Sequence, residues 1–243
     1  MLKAYIDGLK NFASTRKSYS PSFPFIVTGL TMSNPYLIAF VGTVGSGKST
    51  HMKLLAANFR SKGLKVKVTL LKVGNLWAYP LYKMASIGWP IFKNRCLFKL
   101  WIFLDILAVS LKFLILIWLP FKAGHIVLVE EYLPAIVADY LHIARINGHP
   151  PKGVIAIIAY IHRLAILAPF TSVFLNANDT ILKERWKLRD TPSEKPEYLS
   201  MQRKLLLSLT KLLSHHTIYI DTSDSTVKDI SHSLEYLIKL ASS

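Results

Sequence analysis

Short apolar runs alternate with longer amphipathic segments along most of this chain. The run at 36–41 is apolar and rich in β-forming residues, which predicts a buried strand. Further strands are predicted at 65–73, 125–130, 171–176 and 217–221. Helical spacing of apolar residues predicts helices at 48–61, 133–147, 152–168, 178–188, 195–214 and 224–241. Strands that alternate with helices are typical of an α/β domain whose parallel sheet carries helices on both faces.

The most apolar segment lies at 97–121, and its only charged residues are Lys99, Asp105 and Lys112. As a helix it would extend roughly 35 Å, which is long enough to cross a bilayer. Spanning would place charges inside the membrane and would separate the second strand from the third, which would break the sheet. We therefore expect a buried or interfacial helix. A transmembrane helix and a groove for an apolar partner are the alternatives.

Residues 1–33 differ in pattern from the rest of the chain. Their first part carries apolar residues at helical spacing, with basic residues between them: Leu2, Tyr5, Ile6, Leu9 and Phe12. Serines and prolines follow and predict a linker. The segment fits a membrane-surface helix, a targeting segment or a plain extension, and we favour the extension. The predicted organisation is an N-terminal extension at 1–33 followed by one domain at 34–243.

Composition narrows the class of protein and of partner. Hydrophobic residues make up 51% and charged residues 18% of the chain, which excludes a disordered protein. The net charge of +16 favours anionic partners such as nucleotides or an acidic membrane surface. No motif of a known nucleic-acid-binding module is present, so no nucleic-acid partner is expected. The single cysteine, Cys96, excludes an internal disulfide framework, and we expect a cytoplasmic protein, with membrane association as an alternative.

The strongest chemical signal follows the first predicted strand. The segment 42–49 reads GTVGSGKS, which matches G-x-x-x-x-G-K-[ST] between a strand and a helix. Glycines let the main chain wrap around phosphates, and the following helix directs its positive end at them. Lys48 would reach the β and γ phosphates, and the Ser49 hydroxyl would bind Mg²⁺. The predicted ATP-binding residues are Gly42, Thr43, Val44, Gly45, Ser46, Gly47, Lys48, Ser49 and Thr50.

Two further elements complete the predicted chemistry. A carboxylate at the end of a neighbouring apolar strand usually helps to hold Mg²⁺, and Glu130 is the candidate, with an ordinary strand-end carboxylate as the alternative. Arg185 and Arg189 share one helix face and suit the charge of a transferring phosphoryl group. Arg163 is a weaker candidate for the same catalytic role. A solvated basic surface is the alternative for these arginines.

These elements, in this order, resemble the thymidylate kinase family of P-loop nucleoside-monophosphate kinases. The resemblance covers roughly 34–240 and rests on the phosphate loop, the strand that leads into Glu130-Glu131-Tyr132, and the strand at 172–176 that leads to the arginines. The segment 218–223 is similar to the family's last strand and adenine turn. The resemblance implies a three-layer α/β/α fold with a five-stranded parallel sheet, and transfer of the γ-phosphoryl group of magnesium-ATP to thymidylate or a related monophosphate.

The acceptor side departs from the family pattern. Glu131 stands where the family has an arginine, Lys72 is the only cation near the end of the second strand, and Asp105 is followed by isoleucine. The predicted acceptor-binding residues are Lys72, Glu131, Tyr132 and Tyr140, with Asp139 beside them. The alternative function is an ATP-binding protein or ATPase with a different, apolar acceptor at a membrane. Further partner hypotheses are a homodimer and membrane contact through 1–20 or 97–121.

Overall fold

The computed structural model describes residues 36–74, 76–149, 152–188 and 196–223, together with Ile230 and Leu234. The predicted extension at 1–33 and Arg189 lie outside the described residues. Of the helix predicted at 224–241, the two described residues, Ile230 and Leu234, are helical and buried.

Five parallel strands form one sheet in the order β2-β3-β1-β4-β5. The strands are β1 (Leu37–Gly42), β2 (Val66–Leu70), β3 (Ile126–Glu130), β4 (Thr171–Asn176) and β5 (His216–Asp221). In the centre of the sheet, β1 pairs with β3 so that Phe40 lies opposite Glu130. The carboxyl ends of these two strands are therefore neighbours, although 80 to 90 residues of chain separate them.

The helices connect the strands as the apolar spacing predicts. They are α1 (Lys48–Ser61), α2 (Tyr79–Ser86), α3 (Arg95–Phe113), α4 (Leu119–Lys122), α5 (Leu133–Ile146), α6 (Lys152–Leu167), α7 (Asp179–Leu188) and α8 (Pro196–Leu213). A 3₁₀ turn, Leu76–Ala78, precedes α2. For these elements, the predicted strands and helices are confirmed to within three residues at each end. The sequence pattern did not predict α2.

Both faces of the sheet are covered, because the strands are apolar on both sides. On β1, Leu37, Ala39 and Val41 pack with side chains from α3, α5, α6 and α8. The alternate residues Ile38 and Phe40 pack with α1 and with Ile230 and Leu234. This arrangement confirms the predicted α/β class and the three-layer α/β/α architecture with a five-stranded parallel sheet.

The apolar segment predicted at 97–121 belongs to one continuous 28-residue helix, Arg95–Lys122. We call it the long helix; it passes from α3 through a π-helical turn, Leu114–Trp118, into α4. The side chain of Asn94 caps its start by accepting hydrogen bonds from the N–H groups of Cys96 and Leu97. Among the described residues this helix alone is long and apolar enough to cross a membrane, yet one side of it, including Phe98 and Trp101, is buried in the core.

Candidate phosphate-binding and acceptor site

The loop between β1 and α1 has a shape that only glycine permits at its start. A Cβ atom on Gly42 would lie 2.2 Å from the main-chain oxygen of Leu175 on β4. Gly47, the residue before α1, has φ +93°, a conformation that glycine adopts without strain. The loop therefore lies tightly against β4, and it presents the amino end of α1 at the carboxyl edge of the sheet.

Three side chains from distant parts of the chain hold consecutive carbonyl groups of this loop. Trp186 Nε1 donates to the oxygen of Val44 at 3.0 Å, and Arg185 Nη1 donates to that of Gly45 at 3.0 Å. The hydroxyl of Thr222 donates to the oxygen of Ser46 at 3.2 Å. Because the peptide unit is planar and trans, the N–H that follows each held carbonyl points to the opposite side of the loop.

Arg185 has a second attachment on the same side of the loop. Its guanidinium donates to both the hydroxyl and the main-chain oxygen of Thr222, at 3.1 and 2.8 Å. The main-chain N–H of Thr222 donates to the main-chain oxygen of Asn176, at the end of β4, at 2.7 Å. Arg185 was predicted to close over the transferring phosphoryl group. In the structure its guanidinium lies between the phosphate loop and the segment after β5, where it holds the loop, and the catalytic role stays a prediction.

The predicted magnesium-binding pair is in direct contact. Ser49, in the first turn of α1, donates from Oγ to Oε1 of Glu130 at 2.8 Å. The contact exists because β1 and β3 are adjacent and both end at this edge of the sheet. A hydroxyl and a carboxylate are the hard oxygen ligands that Mg²⁺ prefers, and Mg²⁺ usually keeps waters and phosphate oxygens as its other ligands.

The loop contains polar atoms that a phosphate would satisfy. The hydroxyls of Thr43 and Ser46 are buried and find no hydrogen-bond partner among the described residues. A buried hydroxyl without a partner costs about 1–3 kcal/mol. Lys48 is also buried, and its Nζ donates to the main-chain oxygens of Gly42 and Thr43 at 3.0 and 3.1 Å. These residues fit a triphosphate, whose oxygens accept hydrogen bonds from both hydroxyls and from the ammonium group.

Three carboxyl groups lie near one another beyond the carboxyl end of β3: Glu131, Asp139 and Asp105. Glu131 follows the strand directly and has φ +51°, a strained conformation for a residue with a side chain. Asp139, on α5, is partly buried. Its burial and the nearby charges of Glu131 and Asp105 raise its pKa from 3.8 to about 7. Near neutral pH, Asp139 is therefore divided between its protonated and ionised forms.

Asp105, inside the long helix, connects three elements. Its carboxylate is fully buried and accepts hydrogen bonds from the N–H of Gly74, at 2.9 Å, and from the hydroxyl of Tyr140, at 2.8 Å. Burial, together with the charge and hydrogen bond of Asp105, raises the pKa of Tyr140. The sequence pattern showed Asp105 as an interruption of an apolar segment and as part of the divergent acceptor side. It did not indicate the partners of Asp105, which lie 31 and 35 residues away.

Two lysines lie near Asp105. Burial lowers the pKa of Lys112, the charge of Asp105 opposes this shift, and the charge of Lys72 adds to it. Lys72, exposed after β2, was a predicted acceptor residue, whereas Lys112 was not. The signal for Lys112 was present in the sequence, because residues seven apart, such as Asp105 and Lys112, share a helix face. The structure thus brings Lys112 near both Asp105 and Lys72.

The remaining predicted residues lie in other places. Tyr132 is fully buried and packs edge-on against Phe170, and burial raises its pKa well above the ordinary value. Tyr132 and Tyr140 are thus core residues, and the hydroxyl of Tyr140 already binds Asp105. Arg163 is exposed on α6, and no contact in the described part of the chain joins it to the phosphate loop. Thr50 is exposed in the first turn of α1.

Comparisons with known proteins support the fold. No family model matches this sequence, and no curated protein is significantly similar to it. Among solved structures, the chain is similar to the thymidylate kinase of Ehrlichia chaffeensis, with a TM-score of 0.53 and 17% sequence identity. The match covers 85% of this chain and 99% of that one. The predicted resemblance is therefore confirmed at the level of the fold, which is similar to that of this thymidylate kinase.

Proposed function

We propose that this protein transfers the γ-phosphoryl group of magnesium-ATP to a nucleoside monophosphate, with thymidylate as the first candidate (dTMP + ATP to dTDP + ADP). The observation that carries the proposal is the contact of Ser49 with Glu130 beside the phosphate loop. The fold, which is similar to that of a thymidylate kinase, supports the same reaction class.

In the donor half of the site, the groups that would bind the phosphates and Mg²⁺ are in position before the reaction begins. The loop N–H groups and Lys48 would bind the β and γ phosphates, and Lys48 would exchange its two main-chain partners for phosphate oxygens. Ser49 and Glu130 would hold Mg²⁺, which neutralises charge between the phosphates. Trp186, Arg185 and Thr222 keep the loop carbonyls turned away, so the donors need no reorganisation during transfer.

The acceptor half offers cations for a second phosphate. Lys72 and Lys112 lie near each other, and together they would replace the arginines that the family uses. Asp105 stabilises this pair electrostatically and holds the chain at Gly74 through its N–H. Glu131 and Asp139 would accept hydrogen bonds from the base or sugar of the acceptor.

A second candidate function is transfer to an acceptor that carries a hydroxyl but no phosphate. The observation that favours it is Asp139 near Glu131: burial first, and then the charges of Glu131 and Asp105, raise the pKa of Asp139 to about 7. The carboxylate of Glu131, together with that of Asp139, would repel a phosphate dianion. An Asp with a pKa near neutrality is suited to take a proton from an attacking hydroxyl.

The test measures ADP production from magnesium-ATP with a panel of nucleoside monophosphates, nucleosides and long-chain alcohols, with Lys48→Ala as the blank. We expect a monophosphate, thymidylate or a relative, to raise ADP production about tenfold or more over ATP alone. Stimulation only by unphosphorylated hydroxyl compounds would support the second candidate. ATP turnover or binding that no acceptor changes would reject both and leave an ATPase or nucleotide-binding protein.

A matched pair of variants tests the acceptor half directly. Lys72→Ala should raise the acceptor KM and leave the KM for ATP unchanged, since Lys72 follows β2, which β3 separates from the strand that leads into the phosphate loop. Lys67→Ala, at an exposed position within β2, is the control and should change neither. An unchanged acceptor KM in Lys72→Ala would contradict the assignment of Lys72.

A further inference from the structure

The long helix carries a stripe of exposed apolar side chains along the side that faces away from the core. We call this stripe the outer face; its members are Leu100, Phe103, Leu107, Leu111, Leu114, Ile115 and Leu119. In the most apolar 18-residue window of the helix only 33% of residues are buried. An ordinary core helix would be mostly buried, and contiguous exposed apolar patches of this kind mark interaction surfaces.

The opposite side of the same helix is firmly held in the domain. Asp105 binds Gly74 and Tyr140, and Trp101 packs edge-on against the ring of Tyr140 at 5.7 Å between centroids. Phe98 and Trp101 are buried in the main core. A helix that crossed a bilayer would lose these contacts and would expose Asp105 to lipid. The outer face can therefore meet a membrane only with the helix lying along the surface.

Charge around the helix favours an anionic partner. Between residues 71 and 125 the sequence has seven lysines and arginines and a single acidic residue, Asp105, which is buried. Arg95, Lys99 and Lys122 are exposed along the helix itself. Basic residues beside an apolar helical face are the combination that binds the acidic headgroups and the acyl boundary of a membrane.

Exposed aromatic residues precede the helix. Trp77 and Trp89 are 55% and 58% exposed, on the segment that leads into the helix. That segment packs onto the helix through Phe92, whose ring contacts Trp101 at 4.9 Å between centroids. Tryptophan favours the membrane–water interface, where its ring is apolar and its N–H stays hydrated.

A second copy of the chain fits this face less well. In a symmetric dimer each patch meets its own copy, so the basic residues beside the outer face would oppose the same residues of the other chain. No exposed acidic residue occurs between 71 and 125 to compensate them. The negatively charged headgroups of an acidic lipid surface would neutralise all of these basic residues together.

From these observations we infer that the protein binds peripherally to anionic membranes, with the long helix in the plane of the interface and its outer face inserted among the lipids. This goes beyond the proposed function and does not depend on it. The phosphate loop and the outer face are different surfaces, so a kinase and a protein without kinase activity would dock in the same way.

The test is flotation of the full chain with vesicles of phosphatidylcholine alone or with about 30% phosphatidylserine. We expect binding to the anionic vesicles that weakens about tenfold when salt is raised from about 0.1 M to about 0.5 M. Quenching of tryptophan fluorescence by brominated lipids should accompany binding, because Trp77 and Trp89 would lie at the interface.

Two matched substitutions locate the surface. Leu107→Glu, at a position 43% exposed on the outer face, should weaken vesicle binding about tenfold. Leu54→Glu, at a position 41% exposed on α1, is the control, because α1 covers the opposite face of the sheet, and it should leave binding unchanged. Circular dichroism and thermal melting check that both variants fold.

Three results would overturn the inference. The first is no binding to anionic vesicles by the unaltered chain. The second is equal binding by Leu107→Glu and Leu54→Glu. The third is a dimer in solution that Leu107→Glu dissociates without any vesicle binding, which would make the outer face an interface between copies. Lys48→Ala should still bind vesicles, so loss of docking and loss of kinase activity are separable.

Discussion

In the phosphate loop, side chains hold main-chain carbonyls, whereas on the acceptor side one buried carboxylate binds both a side-chain hydroxyl and a main-chain N–H. The loop lies between adjacent elements, and Trp186, Arg185 and Thr222 fix its outer side. On the acceptor side, Asp105 connects the long helix to α5 and to Gly74. A loop with a fixed main chain binds what every nucleotide shares, its phosphates. A site made of side chains can be altered by substitution to suit a different acceptor without a change of fold.

The sharpest test of this division uses two adjacent carboxylates. Glu130→Gln should lower kcat/KM for ATP about 100-fold and raise the Mg²⁺ needed for half-maximal activity, because it weakens the oxygen that contacts Ser49. Glu131→Gln is the control and should leave the Mg²⁺ requirement unchanged. Measured Mg²⁺ titrations that shift equally in both variants would contradict the separation of donor and acceptor halves.

The contacts of Arg185 with the phosphate loop should contribute to the free energy of unfolding. Arg185→Ala removes the guanidinium that binds Gly45 and Thr222 and should lower the free energy of unfolding by about 2–3 kcal/mol, with weaker ATP binding. Arg163→Ala, on the exposed side of α6, should change it by less than about 0.5 kcal/mol. Denaturant titration measures both. If the Arg185→Ala protein has normal stability and is defective only in turnover, Arg185 acts in catalysis, as the sequence predicts, and not as a support of the loop.

On the acceptor side, stability should depend on pH through Asp139. Its pKa is raised in the folded protein, so the folded state binds the proton more tightly than the unfolded state does. The wild type should therefore lose stability as pH rises from about 4 to about 7, and Asp139→Asn should not share this loss. We expect the variant to gain about 2 kcal/mol over the wild type between pH 5 and pH 8, since solvent screens part of the full value.

The control for this prediction is Asp179→Asn, which makes the same substitution at an exposed aspartate. Asp179 is exposed at the start of α7 and pairs with Arg203, so its variant should show no comparable gain at pH 8. Melting temperatures across this pH range supply the measurement. Parallel pH profiles for wild type and Asp139→Asn would show that Asp139 does not carry the effect.

The smallest expected effect concerns the link between the long helix and α5. Tyr140→Phe removes the hydroxyl that binds Asp105 and should lower the free energy of unfolding by about 1 kcal/mol. It should raise the KM for the acceptor and leave the KM for ATP unchanged. An equal rise in both KM values would show that Asp105 affects the whole domain and not the acceptor half alone.

The difference between the halves also explains which contacts could be predicted from the sequence. The phosphate loop and the pairing of Ser49 with Glu130 were predictable, because a strand-loop-helix motif and the end of an apolar strand are local patterns that a parallel sheet brings together. Trp186 and Thr222 were not predicted as loop supports. They lie 142 and 176 residues from the carbonyls they hold, and nothing in their immediate sequence indicates those partners.

Sequence pattern alone was enough to predict the α/β class, the strands and helices that surround the site, and the phosphate-loop motif. Each of these follows from periodicity or from a motif within a few residues of chain. Tertiary packing makes Asp105 a buried connector, brings Lys112 near Lys72, and gives the long helix a buried side and an exposed apolar side. Apolar residues occupy both sides of that helix, so its pattern could not distinguish them. Packing against Tyr140 and the core selected which side is covered.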